Sequence, residues 1–454
     1  MRTLKFGKKN YYQVSTKLAV ACPHALLSCM SGDVGEKRPL LPSGGKNDKD
    51  VSYIEEEPIG SSLDNSDTVS NGYLCCIPLK WIKRSSSSDD FVVDNFGLMI
   101  LLLNSMIGSG IFVQPYVFKE SGIVIASIEY VIIGLMTYAG VDLLIQSADV
   151  YKVHSYDQLA LSALGQNGDK IVNITIFFGN GGALLSYILI IGSLSHELLV
   201  GWMGSHWYTN SALVTALLVA IFVTPPCLVR KFSHLTYISY ASIFAVTATM
   251  LLVIFDGTLE AEDYDVNDDD SINLWSVNGS FRSIGSIVFA FGFASSVFHV
   301  YIAVDKSIRT PSNFSYVLRS TVAAGVTMCF LTGMVGYISF RSYTEENILN
   351  NFTGRLGAIF KIAVIMHLLF YIPGDFVVMR SSLFVLLGLD VSSESTKEFV
   401  AISISMLFAV TASACALNAF AADSDVLSLT LDVTGGLSGS LSNFILPGLI
   451  ATFR

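Results

Sequence analysis

Runs of about twenty apolar residues recur from about Asn95 to the end of the chain, and they constrain the fold more than any other feature. As helices rising about 1.5 Å per residue, such runs each cross roughly 30 Å of hydrocarbon. A helix that packs in a soluble bundle carries a polar stripe at helical period, and most of these runs carry none. Only 14% of the 454 residues are charged. Soluble domains carry about 25%, so this chain lacks the surface that water requires. The expectation is an all-α polytopic protein embedded in a lipid bilayer.

Ten spans are expected, at 95–117, 121–147, 171–199, 211–228, 234–255, 281–303, 318–340, 356–379, 399–419 and 426–452. Residues 1–92, polar and poor in periodic apolar positions, read as a disordered cytosolic tail, and 93–454 as the transmembrane domain. Met1–Cys29 holds no acidic residue and Met30 opens a more ordinary start, which fits either an upstream gene-model extension or a weak targeting segment. Tyr73–Arg84 combines Cys75, Cys76, Trp81 and three basic residues and reads as an interfacial turn.

Basic residues near span ends set the orientation. With the N-terminus in the cytosol, Lys80, Lys83, Arg84, Lys152, Lys170, Arg230, Lys231, Lys306, Arg309, Arg319, Arg380, Lys397 and Arg454 fall inside, against Lys119, Arg282, Arg341, Arg355 and Lys361 outside. The sequons at Asn278 and Asn351 then lie in outer loops and are the expected glycosylation sites.

Several function classes drop out. There is no dense basic face for nucleic acid. No CxxC pair, HExxH, GxSxG or P-loop occurs, so neither an enzyme nor a nucleotide-driven pump is expected, and no cofactor beyond a coupling ion. The acidic stretch within 256–280 lacks the glycine and terminal Glu of a calcium loop and reads as solvated.

Gly108-Ser109-Gly110 interrupts the first span, close to Asn104 and ahead of Pro115. Glycine weakens a helix and proline removes a donor, so this helix is expected to open near mid-bilayer. The sixth span carries a comparable interruption over Ala290–Ser296. Ten spans divide into two sets of five, and broken helices at the first position of each set point to an inverted repeat around a central solute site. Glu129 and His367 lie deep enough for proton coupling. Asp142 and Glu197 read as interfacial, and Asp375 reads as the partner of Arg380.

The run Leu103–Phe112 followed by Pro115 resembles the opening helix of the amino acid/auxin permease family, in its sodium-coupled neutral amino acid transporter branch. Ser155–Gly165, Gly182–Tyr187, Met379–Ser382 and Thr434–Leu441 with Phe444–Gly448 match in the family's order. The resemblance implies the LeuT-type fold of two five-helix repeats and secondary active transport of neutral amino acids by alternating access, the chain acting as a monomer. It implies a coupling-sodium role for Asn104, with Ile107, Gly108, Ser109 and Gly110 holding the substrate's charged groups. Tyr187, Phe291, Gly292, Phe293, Ser295 and Ser296 would line its pocket. Where the branch completes its sodium site with Thr, this chain has Tyr371 near His367, so Na+ and H+ both stand as coupling ions. The family's eleventh helix is absent here, a true difference or a truncated gene model. The home membrane is plasma or vacuolar/lysosomal, the latter suggested by the dileucine pattern Glu36–Leu41. A proton-driven vacuolar exporter and a non-transporting amino acid sensor are the alternatives.

Overall fold

The computed structural model describes residues 94–228, 235–260, 272–304, 309–389, 395–420 and 425–453, with two short segments in the tail. Met1–Arg84 and Ser85–Arg454 are separate units. In the first, Tyr73–Leu74 (β1) pairs antiparallel with Ile77–Pro78 (β2). The rest of the expected tail and the acidic stretch 261–271 lie outside the described residues.

In the second unit every expected span falls on helix. The first is α1 (Asn95–Met106), a 3₁₀ turn (Ser109–Val113) and α2 (Gln114–Ser121). Then come α3 (Ile123–Tyr151), short α4 (Tyr156–Leu164) and α5 (Gln166–Met203). The fourth span, α6 (Ser211–Leu218) and α7 (Thr224–Cys227), is joined by a π turn, and α8 (Leu235–Glu260) follows. The sixth is α9 (Val277–Ala290) and α10 (Ala294–Ala303), followed by α11 (Pro311–Phe340), α12 (Arg355–Leu387) and α13 (Thr396–Phe420). The last runs from α14 (Val426–Thr434) through two π turns to α15 (Leu446–Thr452). Among the described residues, six helices are long and apolar enough to cross a membrane, or seven with α1 and α2 counted as one bent span.

The outer faces agree with a lipid surround. Val131, Leu135, Phe255 and Phe408 are at least 60% exposed, and a water-facing surface would not hold so many large apolar groups. Trp202, Trp207 and Trp275 stand exposed at helix ends, where an amphipathic ring suits the lipid headgroup layer. Inside, Asp142 accepts from Gln146 on its own helix and from Ser315 on α11, and Glu197 pairs with Lys361 on α12. These two carboxylates tie helices together and are not simply interfacial. Glu129 accepts from the Ser280 hydroxyl at the start of α9.

The helices share two ends, one carrying Ser121, Asn273 and Thr344, the other Asn95, Tyr151 and Phe453. At the first end, residues 121–124 and 273–276 run side by side: Ile123 N donates to Asn273 O (3.1 Å), Val124 N to Leu274 O (3.1 Å) and Ser276 N to Ser121 O (2.9 Å). Lys119 Nζ donates to Thr344 O (3.0 Å), which adds the loop after α11 to the same seal.

The same loop corrects the expectation for Asn351. Its side chain is fully buried, donating to Tyr343 O (2.8 Å) and accepting from Glu345 N (3.0 Å). An amide carrying a glycan cannot occupy that space, whereas Asn278, on the first turn of α9, is exposed. Asn278→Gln is therefore expected to remove any glycan-dependent mass shift and Asn351→Gln to leave it unchanged, as read by electrophoresis with and without deglycosylation.

Candidate functional site

An α-helix left open inside hydrocarbon exposes peptide groups that cost several kcal/mol each unless paired. Two such openings meet here. After Met106, Ile107 is extended (φ −93°, ψ 92°) and Gly108 lies at φ −96°, ψ −139°, and the two halves of the span bend by 56°. The sixth span opens over Phe291–Phe293, between α9 and α10.

Side chains take up part of the freed backbone. The Tyr371 hydroxyl donates to Asn104 O (3.1 Å), Gln114 Nε2 to Gly110 O (2.6 Å), and Ala294 N donates to Asn443 Oδ1 (3.0 Å) at the start of α10. Gln114 is held in turn by the hydroxyl of buried Tyr130. Ser109 Oγ meets Ser186 Oγ at 2.9 Å, joining the 3₁₀ turn to α5.

Between the openings lies a small cavity of about 70 Å³, lined by residues of both broken spans. Its wall includes Ser105, Met106 and Gly108; Thr175, Asn180, Ala183 and Tyr187 of α5; Gly292, Ser295 and Ser296; Tyr371 and Asp375 of α12; and Thr434, Ser438 and Asn443. On most elements the lining lies near mid-span. On α1 it stops at Gly108, on α5 at Tyr187, and on α12 it starts at Tyr371. The cavity thus lies near the middle of the bundle, away from the hydrogen-bonded seal.

Of the expected substrate residues, Gly108, Tyr187, Gly292, Ser295 and Ser296 line the cavity. Ile107, Ser109, Gly110, Phe291 and Phe293 stand behind its wall. The Phe291 ring packs edge-on to Tyr130 (5.6 Å between centroids). Gly110 faces α9 so closely that a Cβ there would lie 2.9 Å from Ala290 Cα. At Gly108 a Cβ would lie 3.1 Å from the Tyr187 hydroxyl oxygen, so glycine is what lets that tyrosine reach the opening. Asn104, His367 and Tyr371 come together beside the cavity, and only Tyr371 lines it. Asn104 Oδ1 accepts from Ser242, and the His367 ring packs 5.4 Å from that of Tyr371.

Asp375 differs from its expected place. Positions 375 and 380 are about 140° apart around a helix, so they face different neighbours. Asp375 turns into the cavity and accepts from the Tyr187 hydroxyl (2.9 Å). Arg380 lies buried, donating to Cys227 O (2.6 Å), with its guanidinium 4.4 Å from the Phe399 ring centroid.

A family model described as "Transmembrane amino acid transporter protein" matches residues 95–452. The chain belongs to that family. It is a family of membrane transporters and not of enzymes. Among relatives, the transporter is 27% identical over 333 residues to "Amino acid transporter AVT6E" of Arabidopsis thaliana, covering 69% of this chain and 68% of that protein. It is 23% identical over 368 residues to "Solute carrier family 38 member 10" of Homo sapiens, 78% of this chain but 32% of the human protein. A third relative, "Putative sodium-coupled neutral amino acid transporter 11" of Danio rerio, is 25% identical over 275 residues, 60% of this chain and 59% of that one. The transporter thus spans about a third of the human relative's length.

Sequence reasoning also missed Glu346, which sits in the loop after α11 and caps α14, accepting from Leu427 N (3.1 Å) and Ser428 N (3.0 Å). Burial pushes its carboxyl from 4.5 up to about 7, against the pull of those two donors and with help from the like charge of Asp425. A capped Glu346 therefore holds its proton more tightly than a solvated one. Acidification from about pH 7 toward 4.5 favours the capped end, and raising the pH through about 7 weakens it. Hydrogen exchange at Leu427 and Ser428, corrected for intrinsic rates, is expected to show protection falling between pH 5 and 8 in the native chain, and a flat profile in Glu346→Gln.

The two glycines of the first opening separate packing from binding. Gly110→Leu is expected to lower thermal stability through its clash with α9, by about 1–3 kcal/mol or more. Gly108→Ala should keep the melting temperature within a few degrees and weaken ligand binding, with partial recovery when Tyr187→Phe removes the opposing oxygen. Melting curves and binding isotherms of the purified variants check both.

Proposed function

We propose that the chain is a secondary carrier of amino acids working by alternating access, in the LeuT-type arrangement of two five-helix repeats. The observation that supports this most is the position of the cavity: it lies where two broken helices meet, at the first span of each expected repeat, while backbone bonds seal the end of the bundle away from Tyr151. A carrier alternates between two such one-sided states around a fixed midplane site. The positive-inside bias makes the Tyr151 end cytosolic, so this state faces the cytosol with its far end sealed.

Small neutral amino acids suit the lining of Ser, Thr, Asn, Gly and Ala, with half-helix termini to receive a carboxylate. The names of the Arabidopsis and Danio relatives point to amino acids as well. For coupling, the two ions are not equally supported. Both Asn104 oxygens accept protein hydroxyls, from Ser242 and Tyr371, in the positions where the resemblance asks for sodium. A proton is therefore the favoured coupling ion, despite the sodium in the Danio relative's name.

Uptake of a labelled amino-acid panel into proteoliposomes, with sodium replaced by choline at several pH values, tests the proposal. Flux that persists in choline and rises with an inward proton gradient is expected. Flux that requires sodium reverses the ion assignment, and binding without flux marks a sensor.

A further inference from the structure

The cavity has one charged group and nothing to balance it. None of the residues lining it is Lys, Arg or His, and Asp375 is its one carboxylate. Asp375 Oδ2 accepts from the Tyr187 hydroxyl, while Oδ1 has no hydrogen-bond or ion-pair partner among the described residues. Tyr187 is the link to the broken helix, since its hydroxyl lies 2.9 Å from that carboxylate and would lie 3.1 Å from a Cβ on Gly108. The carboxylate and the opened backbone are thus separated by one hydroxyl group, within the reach of a single amino-acid head group. The aromatic wall continues to Tyr371, whose ring meets that of Tyr187 edge to face at 5.7 Å.

A lone carboxylate in a lipid-embedded cavity is retained only for a cation to meet. The N-terminus of α10 at the second opening favours an anion, and Asp375 in the same cavity favours the opposite charge. The two together match the two ends of a zwitterion.

We propose that Asp375 is the ammonium anchor of the cavity, taking a primary ammonium group of the transported amino acid on Oδ1 while Tyr187 holds Oδ2. The proposal rests on the carrier reading and names which side chain selects its substrate. The ammonium has two sources, the α-amino group common to all amino acids and the side-chain amine of a basic one, and the test separates them.

The purified full-length chain is titrated with the twenty protein amino acids, and the tightest binder becomes the probe. Asp375→Asn is expected to weaken the probe at least tenfold, Tyr187→Phe less, and Asp375→Glu to recover part of the loss. The Nα-acetylated probe, measured on the native chain and so independent of any variant's folding, should bind at least tenfold more weakly and lose nothing further in Asp375→Asn. If the probe is lysine and its Nα-acetyl form stays tight and sensitive to Asp375→Asn, the anchored group is the side-chain ammonium. Binding by Asp375→Asn within twofold of native overturns the anchor. So does an affinity left intact while proton-driven accumulation disappears, which would make Asp375 a proton carrier. If none of the twenty binds the native chain, the carrier reading falls and takes the anchor with it, a result distinct from an anchor that fails alone.

Discussion

Everything in the central region follows from the need to satisfy peptide groups where no water can reach them. A continuous helix meets that need by itself; a helix opened at Ile107–Gly108 or at Phe291–Phe293 does not. Tyr371, Gln114 and Asn443 therefore come from other turns and other helices to pair with Asn104, Gly110 and Ala294. These pairings satisfy the backbone at each opening, and the cavity lies between the two.

The sequence carried the outline of this well. Long apolar runs separated by polar turns fall on helix in the described residues, six or seven of them long and apolar enough to span, because crossing hydrocarbon imposes length and composition together. Gly108 and Pro115 marked the first opening for the same reason, as few residues other than glycine and proline break a helix locally. The wall of the cavity was less legible. Which of Gly108 and Gly110 faces the solute depends on the 56° bend, and a bend angle has no signature in composition. Phe291 and Phe293 flank Gly292 in the chain, yet only the glycine reaches the cavity, since the non-helical backbone there removes any simple periodicity.

Charged residues were the hardest to place. A five-residue separation makes Asp375 and Arg380 look like partners in the chain, and helical rotation sends one to Tyr187 and the other to Cys227. Glu346 is not singled out in the sequence, since its role at the start of α14 depends on a contact 81 positions away in sequence. Asn351 sat in a sequon that the fold closes. For Asp375, Arg380 and Glu346 the deciding partner is remote, so no window of neighbouring residues contains the information.

The side-by-side pairing of residues 121–124 with 273–276 has a consequence for how such a molecule moves. Backbone bonds of this kind do not slide by small steps; they hold in register or let go. α2 and α9, the far halves of the two opened spans, are thereby fastened into a single rigid piece. Among the described residues their near halves, α1 and α10, share no such fastening. A swing about the two openings would then carry one coupled pair against the surrounding helices. Leakage through both ends at once would demand that this stitch come undone while the near side stands open, and the geometry makes those two events separate.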